Sequence, residues 1–330
     1  IMGNISNKMV LVTGGSGFIG SHLVDRLLGE GNAVICLDNL NDFYDPRIKD
    51  LNRATHYDFD QYFFVKGDIR DQDQVNKIFK DNDIEVVIHL AAMAGVRPSL
   101  DNPKLYTDVN INGNQNLLEA MYNSGVRKFF FASSSSVYGN NKKTPFSEDD
   151  IVDYQISPYG ATKKMGEIMC YTYHHLSEIP TTCLRFFTVY GPGQRPEMAI
   201  HKFTRLMKNN QPIPFFGDGS TARDYTFIDD IIDGIFGAMN GEDQFAIYNL
   251  GNSEPVKLDE LVHVIGERLG CEPILDRHPL PAGDVIQTFA DVSRAKSRLD
   301  YEPQVSIDDG ISQFIEWFDK MVTSHGELFS

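Results

Sequence analysis

Val12-Thr13-Gly14-Gly15-Ser16-Gly17-Phe18-Ile19-Gly20 decides the fold. The short apolar run at 9–13 reads as a strand, and the pattern through Leu28 as a helix. Between them the glycines give a tight turn that exposes backbone amides at a helix N-terminus, where a pyrophosphate is held by Gly14, Gly17, Phe18 and Ile19. Gly20 lets the helix lie close to the sheet. Asp38 follows at the end of the next β-rich run, with Asn39 beside it. A carboxylate there accepts both hydroxyls of an adenosine ribose and repels a 2′-phosphate. No basic residue follows until Arg47, so the expected cofactor is NAD rather than NADP.

Outward from this turn, residues 33–37, 62–65, 86–90 and 128–132 repeat the short, apolar, β-rich signature, with helical patterns at 72–80 and 109–123 between later runs. That alternation predicts an α/β fold: a doubly wound parallel Rossmann sheet with a smaller mixed α/β substrate lobe. Beyond Thr188 the rhythm breaks into shorter pieces punctuated by Pro and Gly. The expected division is 1–188 for the NAD-binding domain, with segments at about 223–250 returning to it, and 189–330 for the substrate domain. Residues 307–321 read as an amphipathic helix. Asp68-Ile69, after the third β run, either borders the adenine or forms a plain loop.

Composition excludes several function classes. The 330 residues carry a net charge of −16, a field that repels nucleic acid and anionic membranes. No apolar run approaches the ~18–20 residues that span a bilayer, and the mostly polar first eight residues are no secretory signal. Cys36, Cys170, Cys183 and Cys271 are scattered, without a CxxC pair. That spacing favours reduced thiols in a cytoplasmic protein over disulfides or a metal site.

Two YxxxK matches occur, at Tyr62 to Lys66 and at Tyr159 to Lys163. The first lies in a β run, where four residues span about 13 Å and the polar ends cannot cooperate. The second follows Ser157-Pro158, an N-cap and first helical position. On a helix, Tyr159 and Lys163 share a face. A lysine charge there, together with the positive nicotinamide, would lower the phenol pKa toward working pH, making Tyr159 a general base for a sugar hydroxyl. Lys163 can also hold the nicotinamide ribose. Ser133 to Ser136 follow the 128–132 run, at the strand end where open α/β sheets bind ligands.

Taken together, TGGSGFIGSHL, LDNL, HLAA, SSSSVYG, YGATK, FFTVYGPGQRP, FGDGSTARDYTFIDD, YNLGN and PAGDV resemble the extended short-chain dehydrogenase/reductase family, specifically its nucleotide-sugar epimerases. The resemblance implies Ser134 as the catalytic hydroxyl beside Tyr159 and Lys163, with Ser136 lining the sugar. It places Leu90, Ala91, Ala92 and Asn110 near the cofactor. It assigns Arg223, Arg277 and Asp284 to the diphosphate or uridine ribose, and it implies a homodimer through helices at 105–123 and 158–176.

Departures from sister enzymes narrow the reaction. The family's 4,6-dehydratases carry Thr-Asp-Glu before Val-Tyr-Gly, and the related decarboxylases a glutamate; here Ser135 and Ser136 fill those slots. Serine does not exchange protons near neutral pH, which leaves oxidation and re-reduction: 4-epimerisation. Ala94-Gly95-Val96-Arg97 and Gly193-Gln194-Arg195-Pro196-Glu197-Met198-Ala199 look like the UDP-glucuronate 4-epimerases, with Gln194 and Glu197 departing from that pattern. The expected substrate is UDP-glucuronate, its carboxylate held by Thr188, the serines and Arg97 or Arg195. UDP-glucose and UDP-N-acetylglucosamine 4-epimerases are the alternatives; a non-catalytic NAD sensor has no need of Tyr159, Lys163 and Ser134 together.

Overall fold

The structure, a computed structural model, describes residues 6–280 and 285–329. Seven parallel strands form the main sheet: β1 (Met9–Thr13), β2 (Ala33–Asp38), β3 (Tyr62–Lys66), β4 (Val86–His89), β5 (Lys128–Ser134), β6 (Thr181–Phe186) and, after β7 (Thr188–Tyr190), β8 (Ile213–Phe216) and β9 (Ala222–Phe227), a returning β10 (Phe245–Leu250). Their spatial order is β10-β6-β5-β4-β1-β2-β3, reversing direction beside β1. The doubly wound parallel Rossmann sheet read from the glycine turn is therefore present. Its strands alternate between two cores: Val10, Val12, Phe130 and Ala132 face one layer, and Leu11, Phe129 and Phe131 the other. Burial on both faces explains why these runs read as apolar throughout.

A second, smaller sheet collects β7, β9, β11 (Pro255–Lys257) and β13 (Gln287–Thr288), and β8 pairs with β12 (Leu275–His278). Of the 223–250 stretch, β10 joins the large sheet and β9 the small one. Buried Asp224 ties the small sheet together: its carboxylate accepts from the backbone amides of Asn252, Ser253 and Ala290 and from the Thr226 hydroxyl. Among the described residues, no helix is long and apolar enough to cross a membrane.

Two elements depart from the pattern expected of them. The 109–123 helix opens as a π segment, Asp108–Asn112, before the α-helix Gly113–Tyr122 begins. Asn110 in that segment turns inward and bonds both backbone groups of Met93 and the Thr162 hydroxyl. An extra residue in a helical turn is a common way to aim a side chain at a site. The C-terminal helix runs on past 321, Ile307–Phe329, with non-helical backbone at His325. Its end is held by Phe329, which stacks on buried His201 at 6.0 Å and meets Trp317 edge-on.

Beneath the C-terminal end of β5 lies a sealed ionic network. Arg185 of β6 pairs through two nitrogens with Glu167 on the helix Pro158–Ser177, at 2.8 and 2.9 Å. Glu167 also accepts from the Ser133 hydroxyl at 2.6 Å, and Arg185 donates to Tyr138, which continues to Asn249 of β10. Removing one member of a buried pair strands the other's charge, at a cost of about 3–5 kcal/mol. Glu167→Ala should therefore lower the unfolding free energy by about that much in urea titration; a loss below about 1 kcal/mol would show that the pair is dispensable.

Candidate active site

The glycine turn is built for a close-approaching ligand. Gly14 adopts φ +73°, and a Cβ there would sit 2.8 Å from the Ala91 amide nitrogen. A Cβ on Gly20 would lie 2.2 Å from the Gly14 carbonyl, so side chains are sterically barred at both positions. The Phe18–Gly29 helix starts at Gly17 with no side-chain cap, leaving its first amides to face the cleft. An anion fits that end. Asp38 closes the opposite side, accepting the amides of Ser16 and Leu40 at 3.1 and 2.9 Å while lining the same cleft. These features fit a dinucleotide whose diphosphate meets the helix and whose adenosine ribose meets the carboxylate.

One cleft of about 500 Å³ gathers most of the residues singled out in the sequence. Gly14, Gly17, Phe18, Ile19, Gly20, Asp38, Asn39, Asp68, Ile69, Leu90, Ala91 and Ala92 line its cofactor half. Ser134, Ser135, Ser136, Tyr159, Lys163, Thr188 and Arg195 line the rest. Asp68 donates structure as well as a wall: Arg70 and the Asn39 amide hold its carboxylate down at about 2. Asn110 stands behind the wall, holding the 93–94 backbone against the Tyr159 helix.

Three of the expected residues lie elsewhere. Arg97 stacks its guanidinium 4.9 Å over Phe216, and His278 meets the same ring at 5.3 Å. Arg277 lies over Phe215 at 5.0 Å. Since Phe215 and Phe216 are consecutive on β8, Arg277 and Arg97 occupy opposite faces of that strand pair and do not converge. Arg223 bonds the carbonyls of Ala222 and Ile286 and is not part of the cleft lining. Asp284 lies outside the described residues.

The four residues expected to be catalytic, Ser134, Ser136, Tyr159 and Lys163, are held from both ends. Ser157 caps its helix by accepting the Gly160 amide at 3.0 Å, with Pro158 in the first turn. Lys163, buried on the same face, donates to the Ala132 carbonyl at 2.7 Å and so pins the helix to β5. β5 runs two residues further than its apolar pattern, carrying Ser133 and Ser134. Successive strand residues face opposite ways. Ser133 drops into the Glu167 network, while Ser134 exchanges contacts with the Ser136 hydroxyl and amide at 3.2 and 3.1 Å.

The electrostatics differ from the sequence expectation in one respect. Burial raises the Tyr159 phenol above its ordinary value, and the groups pulling it down are the Ser134 hydroxyl and the Arg195 charge, not Lys163. The ammonium lies 6.0 Å from the Tyr159 ring and is committed to Ala132. Desolvation has itself brought Lys163 down to about 8.

Sequence reading also missed a strap. Asn41, Phe43, Tyr44 and Lys49, from the stretch after Asn39, line the cleft. Buried Lys49 sits 3.8 Å from Asp38, donates to the Asn41 backbone and side-chain oxygens, and lies 5.2 Å from the Tyr44 ring centroid. The aromatic pair Phe43-Tyr44, a few residues beyond the acidic strand end, was the available signal.

Comparison with known proteins agrees with this geometry. Residues 11–314 match the family model described as GDP-mannose 4,6 dehydratase. A UDP-glucuronate 4-epimerase of Thermodesulfobacterium geofontis is 42% identical, over 93% of this chain and 95% of that protein. A crystal structure of UDP-glucuronic acid 4-epimerase from Bacillus cereus, in complex with UDP-glucuronic acid and NAD, superposes with a TM-score of 0.90 at 36% identity, covering 95% of this chain and 99% of the other. UDP-glucose 4-epimerase from Thermotoga maritima, with UDP-glucose, gives 0.87 at 34% identity, with 95% and 99% coverage.

The lowered lysine has a measurable consequence. Between about 8 and the ordinary 10.5, the unfolded chain keeps a proton on Lys163 that the folded chain has lost. Unfolding then takes up a proton, so this group's contribution to stability rises with pH. Relative to Lys163→Met, the ligand-free wild type should gain up to about 1.4 kcal/mol per pH unit between pH 8 and 9.5 in denaturant titrations. A flat difference would mean the lysine keeps its ordinary pKa.

Proposed function

Because the chain belongs to the GDP-mannose 4,6 dehydratase family, within the extended short-chain dehydrogenase/reductases, we propose that it is an NAD-dependent UDP-sugar 4-epimerase acting on UDP-glucuronate. One observation carries the reading. Tyr159, Ser134 and Ser136 share a cleft with Arg195 and an NAD-type glycine turn, and no carboxylic acid stands in the two slots before Val137.

NAD, when bound, supplies a reversible two-electron acceptor for the sugar's C4. The chain's own residues then have four tasks. Tyr159, as the phenolate that the Arg195 charge and a bound nicotinamide's positive charge would favour, takes the C4 hydroxyl proton, with the Ser134 hydroxyl beside it to share that proton, and later returns it. Lys163, anchored on Ala132, keeps the helix in register and offers donors toward the nicotinamide ribose. Ser136 and Thr188 supply hydroxyls to the sugar, which must turn over between proton removal and return. Ser135 and Ser136 offer no base to strip C5 and no acid to expel a 6-substituent, so elimination has no partner.

A uronate is favoured over a neutral sugar by the state of Arg195. Its Nε meets a Glu197 oxygen at 3.0 Å, while its Nη2 contacts the Met198 sulfur at 3.7 Å and its guanidinium carbon lies 5.6 Å from the Phe43 ring. A thioether and a π-face are weak partners for a guanidinium, which binds carboxylates through paired N–H groups. The likeness to the Thermotoga UDP-glucose enzyme supports the neutral alternative.

The proposal extends to assembly and setting. Met165, Ile168 and Tyr171 recur every third residue on the Tyr159 helix, about half exposed, with Tyr122 exposed on the neighbouring helix. An apolar stripe of this kind supports a homodimer built from the 105–123 and 158–176 segments. The four free cysteines support a cytoplasmic setting.

Tyr159→Phe should lower kcat by about 10²–10⁴-fold while NAD binding persists; wild-type turnover in this variant would assign the base elsewhere. Incubation with UDP-glucuronate, UDP-glucose and UDP-N-acetylglucosamine, followed by product separation, should give UDP-galacturonate as the preferred product. Preference for a neutral sugar rejects the uronate, and a UDP-pentose with CO2 rejects epimerisation. Ile168→Asp should shift the protein from dimer to monomer in sedimentation velocity; an unchanged profile removes this helix from the interface.

A further inference from the structure

Among the described residues, Arg195 has one anionic partner, and it sits two residues away. Glu197 Oε1 lies 3.0 Å from Arg195 Nε, without the alignment of a hydrogen bond. The backbone around them is firmly held. Buried Gln194 donates to the Val189 carbonyl and accepts the His201 amide, and His201 Nδ1 meets the Gln194 carbonyl at 2.6 Å. Met198 N donates to Arg195 O, and the Pro192 carbonyl meets His22 of the Phe18–Gly29 helix at 2.8 Å. The loop is therefore rigid while the pair it carries is loose.

The two partners also differ in freedom. The Arg195 side chain is 21% exposed and lines the cleft, whereas Glu197 is 40% exposed and does not line it. If the pair opens, the glutamate is the member with water to move into. The two-carbon arm of the glutamate reaches back to Nε.

We propose that Glu197 is a placeholder carboxylate: it neutralises Arg195 in the free enzyme, yields to the carboxylate of the UDP-uronate substrate, and thereby sets the enzyme's discrimination between uronate and neutral sugars. This rests on the uronate reading above. An incoming carboxylate meets a rival of its own charge and chemistry, so Glu197 weakens uronate binding and leaves a sugar with a C6 hydroxyl largely indifferent. The same competition helps release a uronate product from Arg195. The contribution is small because the glutamate is partly solvated; exposed pairs are worth a few-fold in an equilibrium constant.

Steady-state kinetics of wild type, Glu197→Gln and Glu197→Asp with UDP-glucuronate and with UDP-glucose test the idea. Calorimetric titration of UDP-glucuronate into the same three proteins carrying Tyr159→Phe adds a binding readout. Glu197→Gln should lower the KM for UDP-glucuronate about two- to fivefold relative to that for UDP-glucose, tighten binding by the same factor, and leave kcat within about twofold. Glu197→Asp, too short to reach Nε, should fall between. If Glu197→Gln raises the uronate KM or leaves the ratio unchanged, the placeholder role is wrong although the wild type still epimerises the uronate. If the wild type itself prefers UDP-glucose, the uronate reading fails first, and the placeholder falls with it.

Discussion

A charge sealed under the sheet's C-terminal edge holds the active site in place. Glu167 and Arg185 face each other between β6 and the helix that carries Tyr159, with almost no solvent reaching either. Neither can relax without exposing the other, so helix and strand keep a fixed spacing. Lys163 repeats the constraint four residues along the same helix, through the Ala132 carbonyl. Between these two anchors stands Ser133, bonded to Glu167, and beside it Ser134, bonded to Ser136. The distance from phenol to serine thus follows from buried electrostatics, not from the flexible groups themselves. Such support is what a proton-transfer site requires, since small displacements cost large factors in rate.

The network reaches further through Tyr138 and Asn249, which joins β10 to the carbonyls of Phe146 and Asp291. Asn249 belongs to the chain's return into the large sheet after the small sheet has begun. Asn249 thus ties the large sheet to the segments at Phe146 and Asp291, the latter just beyond β13. Above that network, contacts between cofactor half and sugar half are softer: Arg195 against Phe43, and Pro192 against His22. A rigid base with a softer rim suits an enzyme whose bound sugar must turn without leaving.

Much of this was legible in the sequence for physical reasons. The glycine turn could be read because steric exclusion at Gly14 and Gly20 leaves no other residue possible, and the parallel sheet because strands buried on both faces are uniformly apolar. Tyr159 and Lys163 were separable from Tyr62 and Lys66 because a helix and a strand space four residues differently; the structure puts the second pair in β3. What escaped was tertiary. Lys49 and the Phe43-Tyr44 pair read as loop because only the folded chain brings them over Asp38. Arg277 was given to the diphosphate or uridine ribose and Arg97 to the sugar, and the pleat of β8 sets the two apart. The lysine was credited with lowering the phenol's pKa because spacing does not reveal that the folded chain turns its ammonium to the Ala132 carbonyl, 6.0 Å from the Tyr159 ring.

The central claim is that C4 is oxidised and re-reduced within one closed cleft, the sugar keeping its own hydrogen. Conversion of UDP-glucuronate in D2O, with the product read by mass spectrometry and NMR, tests this most directly. The account predicts an epimer carrying no solvent deuterium on carbon, because only the hydroxyl proton passes through Tyr159. Deuterium at C5 or C4 of the product would mean that a carbon–hydrogen bond is broken by proton abstraction, and the account would be wrong.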